Sequence, residues 1–284
     1  KKVKIIECPR DAMQGIKSHF ISTEKKALYI NSLLKVGFDT IDFGSFVSPK
    51  AIPQMRDTAA VLSKLDLSRT ESKLLAIIAN IRGANDASKF EEIDYLGYPF
   101  SISENFQMRN THKTIEESIE TLDAILNIAD KSKKEVVAYL SMGFGNPYGD
   151  PWDIEIVGKW TEKLSSMGVK ILSLSDTIGS STPKVIDYLF SNLISHYKNI
   201  EFGAYLHSTP DKWHEKVDAA HKAGCNRFDG AIKGYGGCPM AKEELTGNMP
   251  TEKLLSYFTT LKADTNIKPM SFESAYNKAL EVFI

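Results

Sequence analysis

The sequence predicts a (β/α)8 TIM barrel, an α/β fold, followed by one additional C-terminal helix. Three observations lead there. Eight short runs of apolar and β-branched residues recur along the chain, most nearly continuous in hydrophobicity, as strands buried on both faces of a parallel sheet require. Longer stretches with helical spacing separate them, so the chain alternates strand and helix throughout. The first strand-to-helix turn, from Cys8 to Asp11, lacks the glycine fingerprint that cradles a pyrophosphate, which counts against the doubly wound open sheet.

In order, the strand-like runs are 3–8, 40–46, 73–79, 95–101, 135–141, 170–176, 200–207 and 227–232. The helix-type stretches between them are 23–36, 53–65, 83–90, 114–129, 151–167, 183–196 and 210–223. Thr114 and Glu117 have the spacing of a capping box. Thr182-Pro183 and Thr209-Pro210 each place a capping hydroxyl ahead of a first-turn proline. Gly37, Gly168 and Gly224 stand just past the last helical residues, where a left-handed glycine ends a helix. The stretch 271–284 reads as one more helix outside the eightfold count. The expected organisation is one domain over 1–284, with the barrel at about 1–262 and a C-terminal extension at 263–284.

Composition excludes several classes of function. At 284 residues the length alone suggests two domains, but single α/β barrels reach about 250. With 42% hydrophobic and 25% charged residues the chain is neither disordered nor collagenous. Lys and Arg number 35 against 36 Asp and Glu, so bulk charge gives no reason to expect nucleic acid or an anionic membrane. Cys8, Cys225 and Cys238 are too few and too scattered for a disulfide framework or a CxxC zinc site. No apolar run nears the roughly 18 residues of a membrane span. The chain opens at Lys1 in strand-like sequence without a secretory leader, and a processed N-terminus is expected. A cytoplasmic setting follows, with an organellar matrix left open because a removed transit peptide leaves no trace.

In such a barrel, functional groups gather at the C-terminal strand ends. Those ends carry Arg10, Asp11 and Gln14 after the first run, Asp42 on the second with Lys50 beyond it, and Asn80 after the third. Asp176 and Thr177 stand at the end of the sixth run, Tyr205 and His207 close the seventh, and Gly236-Gly237-Cys238-Pro239 follows the eighth, with Asn248 and Glu252 beyond. Asp11, His207 and Asn248 form a set of hard oxygen donors with one imidazole, which suits Mg2+ or Mn2+ better than structural zinc. A core histidine bonded to backbone and an Arg10–Asp11 ion pair are alternative readings of the same residues. Asp176 and Thr177 read equally well as caps of the following helix. Cys238, on a glycine-hinged segment, is a candidate proton donor or nucleophile once closure excludes water; its alternative is a small residue packed in a turn. Cys8 and Cys225 are expected to be inert core thiols.

Together, Cys8-Pro-Arg10-Asp11-Ala-Met-Gln14, the segment from Ser45 to Met55, Ser175-Asp176-Thr177-Ile-Gly179, and Gly236-Gly237-Cys238-Pro239 with Gly247-Asn248 resemble the 3-hydroxy-3-methylglutaryl-CoA lyase family. The resemblance runs nearly the whole chain, in order. It implies metal-dependent retro-Claisen cleavage of that thioester to acetyl-CoA and acetoacetate on a TIM barrel. Asp11, His207 and Asn248 are then the implied ligands of Mg2+ or Mn2+. Arg10 is implied to bind the thioester carbonyl, Cys238 to handle a proton at the acetyl carbon, and Asp176 and Glu252 to be further catalytic groups. Gln14 and Asp176 are implied to orient Arg10 and the metal face, and Gln14, Asp42, Lys50 and Asn80 to lie on the substrate side. The implied partners are an acyl-CoA and a second copy of the chain, with no nucleic acid or membrane.

The chain departs from the family pattern at three places. The His-x-His of strand seven reads Tyr205-Leu206-His207, which puts Tyr205 in doubt as a metal ligand, because a phenol titrates near 10. Asp42 stands where family members often have Glu, and the lid segment at 242–245 is one residue longer than in the animal enzymes. The alternative functions are therefore a catalytically impaired homologue that binds acyl-CoA or metal, or a lyase or synthase acting on a related acyl-CoA.

Overall fold

The computed structural model describes residues 2–237 and 246–283. Its strands are β1 (Lys4–Glu7), β2 (Thr40–Ser45), β3 (Lys73–Ile77), β4 (Tyr95–Ser101), β5 (Glu135–Ser141), β6 (Ile171–Ser175), β7 (Glu201–Tyr205), β8 (His207–Ser208), β9 (Arg227–Gly230) and β10 (Gly247–Asn248). The first seven and β9 are parallel neighbours and close into a barrel, with β1 bonded to both β2 and β9. The two short strands β8 and β10 form a separate antiparallel pair.

Side chains alternate between two packing layers along each strand. Ile6, Leu75, Val137 and Tyr205 point into the barrel, whereas Ile5, Leu74, Val136 and Phe228 pack outward against the helices. The outer layer is the larger core, and it fixes the strand ends on which the site is built.

The helices are α1 (Pro9–Gln14), α2 (Thr23–Leu34), α3 (Thr58–Ser63), α4 (Ile81–Ser88), α5 (Glu104–Thr111), α6 (Ile115–Lys131), α7 (Ile154–Ser166), α8 (Pro183–His196), α9 (Trp213–Lys222), α10 (Thr251–Thr260) and α11 (Pro269–Val282). Both bonds of the capping box at α6 are present, Glu117 N–H to Thr114 Oγ1 at 3.0 Å and Thr114 N–H to Glu117 Oε1 at 3.1 Å. Gly37, Gly168 and Gly224 take φ of +102°, +105° and +107°, as C-terminal glycines should. Near its end the chain packs on α2 through Tyr29 and Phe283, and Phe283 stacks on Tyr235 at 4.4 Å. No helix among the described residues is long and apolar enough to cross a membrane.

Four expectations need correction. The helix expected from Pro210 starts at Trp213, because Thr209 closes a turn: its carbonyl accepts from Lys212 N–H at 3.2 Å and its hydroxyl donates to Asp211 at 2.6 Å. The stretch 53–65 divides into a 3-10 turn, Pro53–Met55, and α3. There Thr58 Oγ1 donates to Met55 O at 2.8 Å and accepts from Ser45 N–H at 3.0 Å. The stretch at 151–167 enters its helix only at Ile154, with Asp153 as its cap. The seventh run ends at Tyr205, so His207 belongs to β8. Three helices were not anticipated: α1, α5 and α10.

Candidate active site

Helix α1 turns directly off the end of β1 and carries Arg10, Asp11 and Gln14 over the C-terminal mouth of the barrel. The Arg10 guanidinium is buried and gripped from two sides. Nη2 donates to Asp42 Oδ2 at 2.7 Å, Nε lies 3.2 Å from both Asp42 oxygens, and Nη1 donates to Gln14 Oε1 at 2.9 Å and to Asp11 Oδ1 at 3.3 Å. Burial works to lower the Arg10 pKa, but the carboxylates of Asp42 and Asp11 outweigh it and hold the guanidinium charged. For Asp11, burial works to raise the pKa. The charge of Arg10 foremost, and hydrogen bonds from Asn248 and Tyr205, bring it below the usual carboxylate value.

The β8–β10 pair places His207 directly opposite Asn248. Asn248 Nδ2 donates to Asp11 Oδ2 at 2.6 Å and to the Tyr235 carbonyl at 2.8 Å, which fixes its oxygen toward His207 Nε2 at 2.9 Å. The other ring nitrogen, Nδ1, faces the Thr177 carbonyl at 3.1 Å, an acceptor only, so a neutral ring carries its proton there. Nε2 and Asn248 Oδ1 are then two acceptors facing each other beside a carboxylate. A positive charge relieves that conflict. The cis ligands of an octahedral Mg2+, each about 2.1 Å from the ion, lie about 3.0 Å apart, close to the spacing found here. The donor set therefore fits a hard divalent cation. Among the described residues no three His, Cys, Asp or Glu side chains gather to hold a metal, and this cluster reaches three donors only through the Asn248 amide.

Gly236 locks the cluster from above. At φ +88°, a Cβ on it would lie 2.7 Å from the Asp11 carbonyl and 2.9 Å from Asn248 Nδ2, so only glycine lets this loop approach. Tyr205 closes the floor. Its ring meets those of Tyr139 and His207 edge-on at 5.8 and 5.5 Å. Burial foremost, with the charge of Asp11, pushes its phenol well above the ordinary value, so it stands as a hydroxyl donor to Asp11.

The sequence profile of the HMGL-like family matches residues 2–278. The chain belongs to the HMGL-like family. It is 33% identical over 269 residues to the hydroxymethylglutaryl-CoA lyase of Bacillus subtilis, covering 94% of this chain and 89% of that protein. A crystal structure of the Bacillus subtilis HMG-CoA lyase superposes with a TM-score of 0.92 at 33% identity, over 99% of this chain and 93% of that one. An Acinetobacter baumannii HMG-CoA lyase, solved with coenzyme A and 3-methylmalate, gives 0.89 at 27% identity, over 99% and 90%.

Within this HMGL-like barrel the remaining candidates lie apart from the central cluster. Lys50 is exposed on the turn after β2. Asn80 caps α4, its Oδ1 accepting from Gly83 N–H at 2.8 Å. Glu252, in the first turn of α10, accepts from Lys233 N–H at 2.9 Å and braces that left-handed residue at φ +59°. Asp176 is buried behind His207, where it accepts from Ser181 N–H and the Ser181 hydroxyl and pairs with Lys216 at 3.2 Å; Thr182, not Asp176, caps α8. Cys238 and the lid residues 242–245 lie outside the described residues. Cys8 and Cys225 are buried thiols whose pKa values burial raises, that of Cys225 to about 12.

Sequence reasoning missed Lys216, Glu7 and the Thr177 carbonyl. Lys216 had a readable signal, since it falls in the Trp213, Val217, Ala220 stripe that α9 turns to the core. A backbone carbonyl leaves no signal in residue type.

Proposed function

We propose that the chain is a divalent-metal-dependent lyase that cleaves 3-hydroxy-3-methylglutaryl-CoA to acetyl-CoA and acetoacetate. The observation that carries this reading is the Asp11, His207 and Asn248 cluster beside a charged, buried Arg10 at the barrel mouth of an HMGL-like chain. Those three side chains would hold a divalent cation, Mg2+ or Mn2+, which would supply Lewis acidity to the substrate's tertiary hydroxyl. Arg10 donates to the thioester oxygen, where negative charge develops as the carbon–carbon bond breaks and the acetyl-CoA enolate departs. Asp42 and Gln14 hold the guanidinium in place beforehand, so little reorganisation is left for the reaction itself. Cys238, outside the described residues, is the candidate to protonate the enolate carbon, and the proton that the tertiary hydroxyl gives up as it becomes the ketone restores the thiol by way of solvent, so the cleavage is proton-neutral. Lys50 and the Asn80 amide are available to the acyl-CoA at the rim, whereas Asp176 and Glu252 support the geometry from behind. A cytoplasmic homodimer completes the proposal.

The test is acetoacetate release, measured by a coupled assay with Mg2+ or Mn2+ and abolished by EDTA. A metal-replete protein that leaves the thioester intact, both as wild type and as Tyr205→His, rules out this substrate. One observation favours a second reading, a catalytically impaired homologue: Tyr205 presents a protonated phenol to Asp11 where an imidazole is implied. Turnover gained only in Tyr205→His would decide for it.

A further inference from the structure

Lys216 is 3% exposed beneath the site, and its ammonium has an acceptor for each of its three protons. Nζ donates to the His207 carbonyl at 2.8 Å and to the Gly179 carbonyl at 3.3 Å, and pairs with Asp176 Oδ2 at 3.2 Å. Asp176 in turn accepts from Ser181 N–H at 3.1 Å and from the Ser181 hydroxyl. The loop 176–181 is thus wound around one buried charge. That loop also carries the Thr177 carbonyl that faces His207 Nδ1 at 3.1 Å, and Thr177 Oγ1 is anchored by Met142 N–H at 2.8 Å.

We propose that Lys216 is a positioning residue that fixes His207 from two directions, holding its backbone directly and its ring through the 176–181 loop. The inference rests on reading Asp11, His207 and Asn248 as a divalent-cation site. A ring with Nδ1 pinned has only Nε2 to offer, and a pinned backbone sets the direction in which Nε2 points. Asp176, with both oxygens engaged by Lys216 and Ser181, acts through this arrangement and not on substrate.

Mn2+ affinity, read from the electron paramagnetic resonance signal of the free ion, tests this on the full chain. Lys216→Met strands the Asp176 carboxylate, so Lys216→Met/Asp176→Asn, which removes both charges, is measured beside it. Both variants should bind Mn2+ about 10- to 100-fold more weakly than wild type, the usual effect of losing a partner that orients a metal ligand. The double variant should regain thermal stability without regaining affinity, and kcat should fall with little change in KM for the acyl-CoA. Wild-type affinity in the double variant would show that Lys216 only balances a buried charge, and would overturn the proposal alone. A wild-type protein that binds no Mn2+ would overturn the metal-site reading as well. If the variants fail to fold, 15N spectra of the wild-type imidazoles decide. Mg2+ should shift Nε2 of His207 and leave Nδ1 protonated, and a shift at Nδ1 instead would overturn the proposal.

Discussion

Replacing Glu7 with glutamine should flatten a loss of stability that the wild-type protein undergoes between about pH 5 and pH 8. Glu7 lies on β1 facing the helix layer with no exposed surface. Oε2 accepts from Ile232 N–H at 2.9 Å and Oε1 from the Thr251 hydroxyl at 2.5 Å, so the side chain ties β1 to the loop after β9 and to α10. Burial raises its pKa from 4.5 to about 8; hydrogen bonds from Thr251 and Ile232 oppose the rise and the charge of Glu252 adds to it. The unfolded chain releases this proton near 4.5, whereas the folded chain keeps it to about 8. Between those values the folded state holds one more proton. The contribution is fully present below pH 4.5 and is lost as pH rises through 8. At about 1.4 kcal/mol per unit, the gap from 4.5 to about 8 corresponds to about 5 kcal/mol, much of the stability of an ordinary domain.

Glutamine keeps the shape, its oxygen still accepts from Ile232, and its NH2 can donate to the Thr251 oxygen. Urea denaturation at half-unit steps from pH 5 to 8.5 reads the effect. The two proteins should agree to within about 1 kcal/mol at pH 5, and the variant should be several kcal/mol more stable at pH 8. Asp229, which burial raises to about 7, adds a slope of the same sign to both proteins, so the difference between the curves isolates Glu7. Parallel curves over the whole range would show that Glu7 titrates as an exposed glutamate does, and would refute the reasoning.

Asp42→Asn removes the nearer of the two carboxylates that pair with the buried Arg10 guanidinium and leaves only Asp11 at 3.3 Å, and should cost about 3–5 kcal/mol by urea denaturation. Gly236→Ala puts a methyl group 2.9 Å from Asn248 Nδ2 and imposes φ +88° on a residue with a side chain. Mn2+ affinity should fall at least about tenfold, and calorimetric binding equal to wild type would remove Gly236 from the site. Thr114→Ala deletes one half of the α6 capping box and should lower stability by about 1 kcal/mol without altering Mn2+ binding.

The barrel is legible in the sequence because its signals are local. Strands buried on both faces read as apolar runs, and most helix ends are marked by their own residues, as Thr114, Thr182 and Gly168 show. Thr209-Pro210 misleads for the same reason, since a hydroxyl before proline serves a turn as well as a helix start. The site is legible in part, and strand order separates the two parts. The parallel register Ser175↔Tyr205 sets the ends of β6 and β7 side by side, and Asp176 N–H donates to the Tyr205 carbonyl at 2.9 Å. Two residues past that register pair on both strand ends, the Thr177 carbonyl meets the His207 ring, so this contact follows from the strands being neighbours. Lys216 joins them because α9 leaves β8 and packs back over the same pair of ends, which turns a lysine in an apolar stripe toward Asp176, 40 residues away. Asn248 obeys no such rule. It reaches His207 after a long excursion beyond β9, through an antiparallel pairing of only two residues that the barrel does not require. Gly236, which a side chain would push off Asp11 and Asn248, is what lets the chain at that point approach the two. The imidazole is therefore placed by the fold and the amide by the loop, and a substitution that loosens the loop should release Asn248 while leaving His207 where it is.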